Sequence, residues 1–163
     1  MAIFSFEAEV TTSIPPAKMF KAFVVDGEKI AAQIFPEAIK SVASEGDGGP
    51  GTIKQVHFNE GSPFKFVKEV VDELDKEKLI YGYTVIGGDA LMAGVEKISY
   101  RLKMEESVDG GGGTICKRSS KFFTSEEGGI GEDEVKAANG GIWQMFCAIF
   151  KAFEGHLLAN PSS

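Results

Sequence analysis

Residues 39–59, IKSVASEGDGGPGTIKQVHFN, decide the fold. Within them Gly46-Asp47-Gly48-Gly49-Pro50-Gly51 satisfies G-x-G-x-x-G, a pattern that in a dinucleotide site opens a helix whose N-terminus receives the pyrophosphate. Here the loop opens onto Thr52-Ile53-Lys54-Gln55-Val56-His57-Phe58, which alternates as a strand does. A Walker-type phosphate loop fails as well, because Thr52 stands where lysine should follow Gly51, and Glu45 and Asp47 would oppose phosphate. What remains is a glycine-rich turn between two strands, too short for a parallel crossover and therefore antiparallel.

Outward from this hairpin the same reading repeats. Strands are predicted at 39–45, 52–59, 64–74, 78–87, 93–105 and 113–123, with turn chemistry at 46–51, 60–63, 75–77, 87–89 and 109–113. Upstream, residues 3–11 place Phe4, Phe6, Ala8 and Val10 on one side and Ser5, Glu7 and Glu9 on the other, which makes seven strands. Between the first two strands, Ser13-Ile14-Pro15-Pro16 supplies a capping hydroxyl and a first-turn proline for a short helix ending near Asp26-Gly27. A second short helix over 27–34 stops before Pro36. After a glycine-rich acidic loop at 124–133, residues 134–158 form one long helix, with Glu132, Asp133 and Glu134 set against its dipole. Its stripe of Ile142, Met145, Phe146, Ile149 and Phe153 is flanked by Trp143, Cys147, Phe150 and Leu158, so more than half its circumference is apolar. Such a helix is wrapped by a curved sheet, faces a cavity or ligand, or meets a partner subunit.

The chain of 163 residues fits one domain, 1–163, of α+β class. Its formal charge of −7 argues against nucleic acid and anionic membranes as partners, and it contains no apolar run of about 20 residues. The 20 glycines and 13 phenylalanines suit a strongly bent sheet filled with aromatic wedges. His57, His156, Cys116 and Cys147 lack the close spacing of a metal site, no spacing assembles a nucleophilic triad, and no cofactor is expected. The alternating N-terminus gives no secretory signal, so a reducing, cytoplasmic compartment is the expectation. Glu7, Glu9, Lys65, Lys68, Lys76 and Lys78 read as solvated. Sharper are the aromatic inward faces: Phe58, Phe64 and Phe66; Tyr81, Tyr83 and Val85; Ile98, Tyr100, Leu102 and Met104. They form either a ligand cavity with a few orienting hydroxyls or an ordinary core whose tyrosine hydroxyls reach the surface.

The order of elements, EGDGGPGTIK at 45–54, FKFVK at 64–68, YGYTVI at 81–86, VEKI at 95–98 and HLLANP at 156–161 resemble the plant pathogenesis-related class 10 family, typified by the birch major pollen allergen. The resemblance spans nearly the whole chain. It implies a helix-grip fold, in which a seven-stranded antiparallel sheet wraps the long C-terminal helix and two short helices close a large internal cavity. It also implies an intracellular, stress-related carrier of flavonoids, cytokinins, sterols or fatty acids, monomeric or weakly dimeric, in cytoplasm and nucleus. The cavity lining it implies is Phe23, Ile39, Val56, Phe58, Phe66, Tyr81, Tyr83, Ile98, Tyr100, Leu102 and Met145, beside the loop glycines Gly46, Gly48, Gly49 and Gly51. Members of this fold also suggest three alternatives. Ribonuclease candidates carried over are Lys54 and Glu154, with His156 in the place of the family's tyrosine. A Pictet-Spengler condensing enzyme would use Lys117 and Tyr100, with Leu102 where the carboxylate belongs. The last alternative is a hormone receptor that inhibits a phosphatase. An apparent insertion of about one turn around Asn139–Gln144 distinguishes the long helix.

Overall fold

The computed structural model describes residues 2–62, 64–89, 91–125 and 129–161. It contains β1 (Ala2–Thr12), α1 (Pro16–Phe20), a π-helical turn (Lys21–Val25), α2 (Gly27–Ile34), β2 (Ile39–Glu45), β3 (Ile53–Phe58), β4 (Phe66–Asp75), β5 (Ile80–Gly88), β6 (Val95–Glu106), β7 (Thr114–Thr124) and α3 (Glu132–Ala159). The strands form one antiparallel sheet in the order β1-β7-β6-β5-β4-β3-β2. The expected seven strands, two short helices and long helix are all present, with ends moved by one or two residues. Pro63 of the 60–63 turn and residues 126–128 of the acidic loop lie outside the described residues.

The first short helix differs from expectation. Ser13 does not cap it: Pro15 holds the N-cap position and its carbonyl accepts the Met19 amide at 2.9 Å. The helix then widens into the π-helical turn, which swings Phe23 toward α3, where its ring meets Phe146, Phe150 and Phe153 edge-on at 4.9–5.5 Å.

Curvature comes from two interruptions of the β4–β5 ladder, at Lys68/Glu69 and at Val71/Glu73, because an extra residue on one strand bends the pair. The inner face of β6 and β7 is strictly periodic: Ile98, Tyr100, Leu102 and Met104 lie opposite Phe122, Ser120, Arg118 and Cys116. Two apolar clusters fill the concave face. One joins α1 and α2 to the C-terminal half of α3 through Met19, Phe20, Phe150, Phe153 and Leu157; the other surrounds Val135 with Val85, Ile98, Tyr100 and Phe122. α3 runs without a break through Asn139–Gln144, where Ser120 Oγ donates to Asn139 Oδ1 at 3.0 Å.

The glycine-rich loop is pinned from within. Gly46 has φ +129°, and a Cβ there would stand 2.7 Å from Thr52 Oγ1. That hydroxyl accepts the Gly48 amide, Asp47 Oδ1 accepts the Gly49 amide, and Val71 O accepts the Gly51 amide, all at 2.8–2.9 Å. The loop therefore spends three of its donors on the protein, in keeping with a structural turn.

Candidate functional site

Between α2, the π-helical turn, α3 and strands β3 to β6 lies a cavity of about 240 Å³. Phe23 and Val24 come from the π-helical turn, Gly27 and Glu28 from α2, Lys54 and Val56 from β3, Glu69 from β4, Tyr81 and Tyr83 from β5, Leu102 from β6, and Phe146 and Ile149 from α3. The cavity is open to solvent on one side, and Val24, Lys54 and Tyr81 also line an adjoining hollow of about 370 Å³ that reaches Asp47, Gly48 and Gly49. Rings narrow its inner end: Phe23 wedges against three phenylalanines of α3, and Trp143 and Phe146 stack at 5.2 Å.

One wall is ionic. Lys54 and Glu69 are cross-strand partners on β3 and β4, so their side chains leave the sheet on the same, concave side. Lys54 Nζ lies 3.3 Å from Glu28 Oε1 and 6.0 Å from the Tyr81 ring centre. Glu69 keeps some exposed surface as a residue, yet its carboxyl is enclosed by protein. Burial pushes it up from 4.5 to about 7, and Glu28 adds to the rise while Lys54 opposes it. This carboxyl therefore exchanges between acceptor-only and donor-bearing forms in the neutral range.

The opposite wall is aromatic. Tyr81, Tyr83 and Tyr100 form a row with ring centres 5.3 and 5.2 Å apart, and burial raises all three hydroxyls well above their ordinary value, so they act as neutral donors and acceptors. At the end of the row the Arg118 guanidinium lies 4.0 Å from the Tyr100 ring centre and 4.4 Å from that of Phe146. An aromatic cavity with a few polar groups of both signs has the chemistry to hold and orient a small amphipathic ring compound.

This geometry has relatives. The model of the pathogenesis-related Bet v 1 family matches residues 1–160. The chain belongs to that family. It is 43% identical to the major strawberry allergen Fra a 1.08 of Fragaria ananassa, over 100% of this chain and 99% of that one, and 45% identical to major pollen allergen Car b 1 isoform 2 of Carpinus betulus, over 99% and 98%. The solved structure of Ara h 8.0201 superposes with a TM-score of 0.80 at 36% identity, over 97% of this chain and 99% of that one. Norcoclaurine synthase from Thalictrum flavum, solved with dopamine and hydroxybenzaldehyde, shares the fold with a TM-score of 0.75 at 20% identity, over 97% and 88%.

Within this Bet v 1 framework the expected lining residues separate. Phe23, Val56, Tyr81, Tyr83 and Leu102 line the cavity. Tyr100 is buried beside it, between Tyr83 and Arg118. Ile98 is buried in the second apolar cluster, while Ile39 and Phe58 are half-buried cross-strand partners at the β2–β3 edge and outside the lining. Two expectations need correcting. Phe66 pairs with His57 and stacks on its ring at 5.1 Å, one residue out of phase with Val67, Glu69 and Val71, so it lies on the outer face of the sheet. Met145 is half-buried but does not line the cavity, because α3 turns Phe146, Phe150, Phe153 and Leu157 inward.

The residues carried over for the two enzyme alternatives are not brought together. Lys54 faces the cavity, whereas Glu154 pairs with Lys151 at 3.5 Å and lines a different hollow with Thr11, Ser107 and Val108; His156 sits in the last turn of α3, its carbonyl accepting the Asn160 amide. Lys117 is on the outer face of β7, bonded to Glu105 at 2.9 Å, with its back to Tyr100. Gly46, Gly48, Gly49 and Gly51 serve the pinned loop. Among the described residues no cluster of His, Cys, Asp and Glu could hold a metal ion, and no helix is long and apolar enough to cross a membrane. Sequence reasoning missed Val24, Gly27, Glu28, Glu69, Phe146 and Ile149 as lining residues, and placed Lys54 elsewhere.

Proposed function

We propose that this Bet v 1 family protein is a non-enzymatic carrier of small amphipathic ring compounds, of the flavonoid or cytokinin kind, held in the cavity under α2. The supporting observation is the lining itself: aromatic faces from Phe23, Tyr81, Tyr83 and Phe146 share about 240 Å³ with the Glu28–Lys54–Glu69 group. Ring burial supplies affinity and the polar groups set orientation. That volume falls below the usual ~300–1,000 Å³ of ligand pockets, so compact ligands of one or two rings fit first and extended sterols require Phe23 or Phe146 to move.

Titration of an environment-sensitive apolar dye into the purified protein, followed by displacement with flavonoids and cytokinins, tests this. Saturable binding near micromolar, about −8 kcal/mol, with competitive displacement is expected. A folded sample that binds no dye and no competitor overturns the proposal.

A further inference from the structure

Arg118 is unusual among the inner-face residues of β7, where Thr114, Cys116, Ser120 and Phe122 are neutral. It is 8% exposed, its cross-strand neighbours are Leu102 on β6 and Ala8 on β1, and among the described residues no carboxylate lies within salt-bridge distance of it. Its Nε is buried without a hydrogen-bond partner. Burying a guanidinium with no counter-charge and one donor unfilled is costly, even with the Tyr83 and Tyr100 hydroxyls within its reach, and an aliphatic residue of similar length would fill the same place without that cost.

The rings around it explain part of the arrangement and leave part open. Tyr100 and Phe146 lie near the guanidinium at 4.0 and 4.4 Å, with Trp143 at 6.0 Å, and these aromatic neighbours offset some of the lost hydration. A cation–π contact uses the face of the guanidinium, however, and its five N–H donors point outward in its plane. Arg118 itself borders a small neighbouring hollow with Phe6, Ser120, Asn139 and Trp143, and it meets the cavity through Phe146 and Leu102, which line the cavity and adjoin Arg118. Tyr83, also in the lining, has a hydroxyl close enough for the guanidinium to pull against the effect of burial. The acidic end of the cavity lies elsewhere: Glu69 is on β4, three strands from β7, or ~14 Å along the sheet at about 4.8 Å per strand.

We propose that Arg118 reads a carboxylate on the ligand, making the cavity selective for aromatic acids over their neutral analogues. This rests on the carrier reading and adds the ligand's charge to it. A carboxylate meeting the guanidinium edge makes the paired, charge-assisted bonds that no carboxylate among the described residues supplies, and gives the orphaned Nε a partner. The ligand's ring then occupies the Tyr81–Tyr83–Phe146 space, with Phe146 turning aside to admit the acid.

The test is calorimetric titration of the full chain at neutral pH with naphthylacetate and with its neutral amide, probes of nearly the same shape. The wild-type protein is expected to bind the acid about tenfold more tightly, that is ~1.4 kcal/mol. Arg118→Met is expected to remove the preference while still binding Nile red, a neutral dye that reports an intact cavity; Arg118→Gln provides the same comparison in a polar side chain. Equal affinity for acid and amide in the wild type overturns the inference and leaves the carrier reading standing. A preference that survives in both variants also overturns it, since another group then reads the acid. Failure of the acid, the amide and Nile red alike overturns the carrier reading, and this inference with it.

Discussion

Glu69→Gln isolates the cost of the buried carboxyl. In the unfolded chain this group releases its proton near 4.5, whereas in the folded protein it holds it to about 7. Between those values the folded state binds more protons than the unfolded state, so raising the pH favours unfolding. Glu69 therefore costs nothing below about pH 4.5 and progressively destabilises the protein as pH rises through 7. At ~1.36 kcal/mol per tenfold change in proton affinity the full effect is ~3 kcal/mol, which the residue's partial exposure reduces to ~2 kcal/mol. Glutamine keeps the shape and removes the titration, and Lys54 retains Glu28 at 3.3 Å. Urea unfolding at about pH 4 and about pH 8 should show wild type and variant nearly equal in acid and the variant ~2 kcal/mol more stable in base. Asp75, Asp89, Glu105 and Asp109, held below the ordinary carboxylate range by hydrogen bonds and, in all but Asp109, a nearby lysine, make both proteins less stable in strong acid, and this shared effect cancels in the difference. A constant difference across the whole range would refute the reasoning, because it would mean that the Glu69 carboxyl titrates as it does in water.

Phe23→Ala should cost ~3 kcal/mol by urea unfolding, since three edge-on ring contacts are lost, and should strengthen binding of larger ring ligands by enlarging the cavity; unchanged ligand size preference would place the ligand elsewhere. Replacing Gly140 and Gly141 with alanine should stabilise the protein by ~2 kcal/mol, raising Tm by roughly 4–8 °C in calorimetry, because neither has positive φ and a Cβ at either meets nothing within 4 Å. Gly88→Ala should do the reverse: at φ +99° its Cβ would fall on Phe66 O, so loss of folded protein by circular dichroism is the expected outcome, and a wild-type Tm would contradict it.

Element order and type were legible because turn chemistry punctuates the chain and β1, β6 and β7 alternate cleanly. The inner faces of β5, β6 and β7 follow from that alternation, and with them the inward placement of Tyr81, Tyr83 and Leu102. β4 resists such reading: in FVKEVVDELD the valines stand on both parities and two ladder interruptions reset the phase, so parity alone sets Phe66 inside and passes over Glu69. The buried charges escaped for a different reason. A charged residue in a strand is by default solvated, and only strand pairing shows that Lys54 and Glu69 share the concave side. For Arg118 the signal was present, since it has the parity of Cys116 and Phe122. On α3 an apolar surface wider than half a turn leaves the rotation undetermined, and packing against Phe23 selects Phe146 over Met145.

The sheet order places β1 and β2, consecutive in the chain, at opposite edges, and joins β1 only to β7. The bonds that close this edge link residues a hundred or more positions apart: Thr114 Oγ1 donates to Ile14 O, and Thr124 Oγ1 to Ala2 O. During synthesis the first strand made is thus the last to find its ladder, waiting until more than a hundred further residues have been added. Closing a loop of that length costs ~4 kcal/mol of chain entropy before any contact repays it, which puts the chain among slow, topology-limited folders. The nascent β1, with its Phe4, Phe6 and Val10 face uncovered, spends that interval exposed to aggregation and to chaperones.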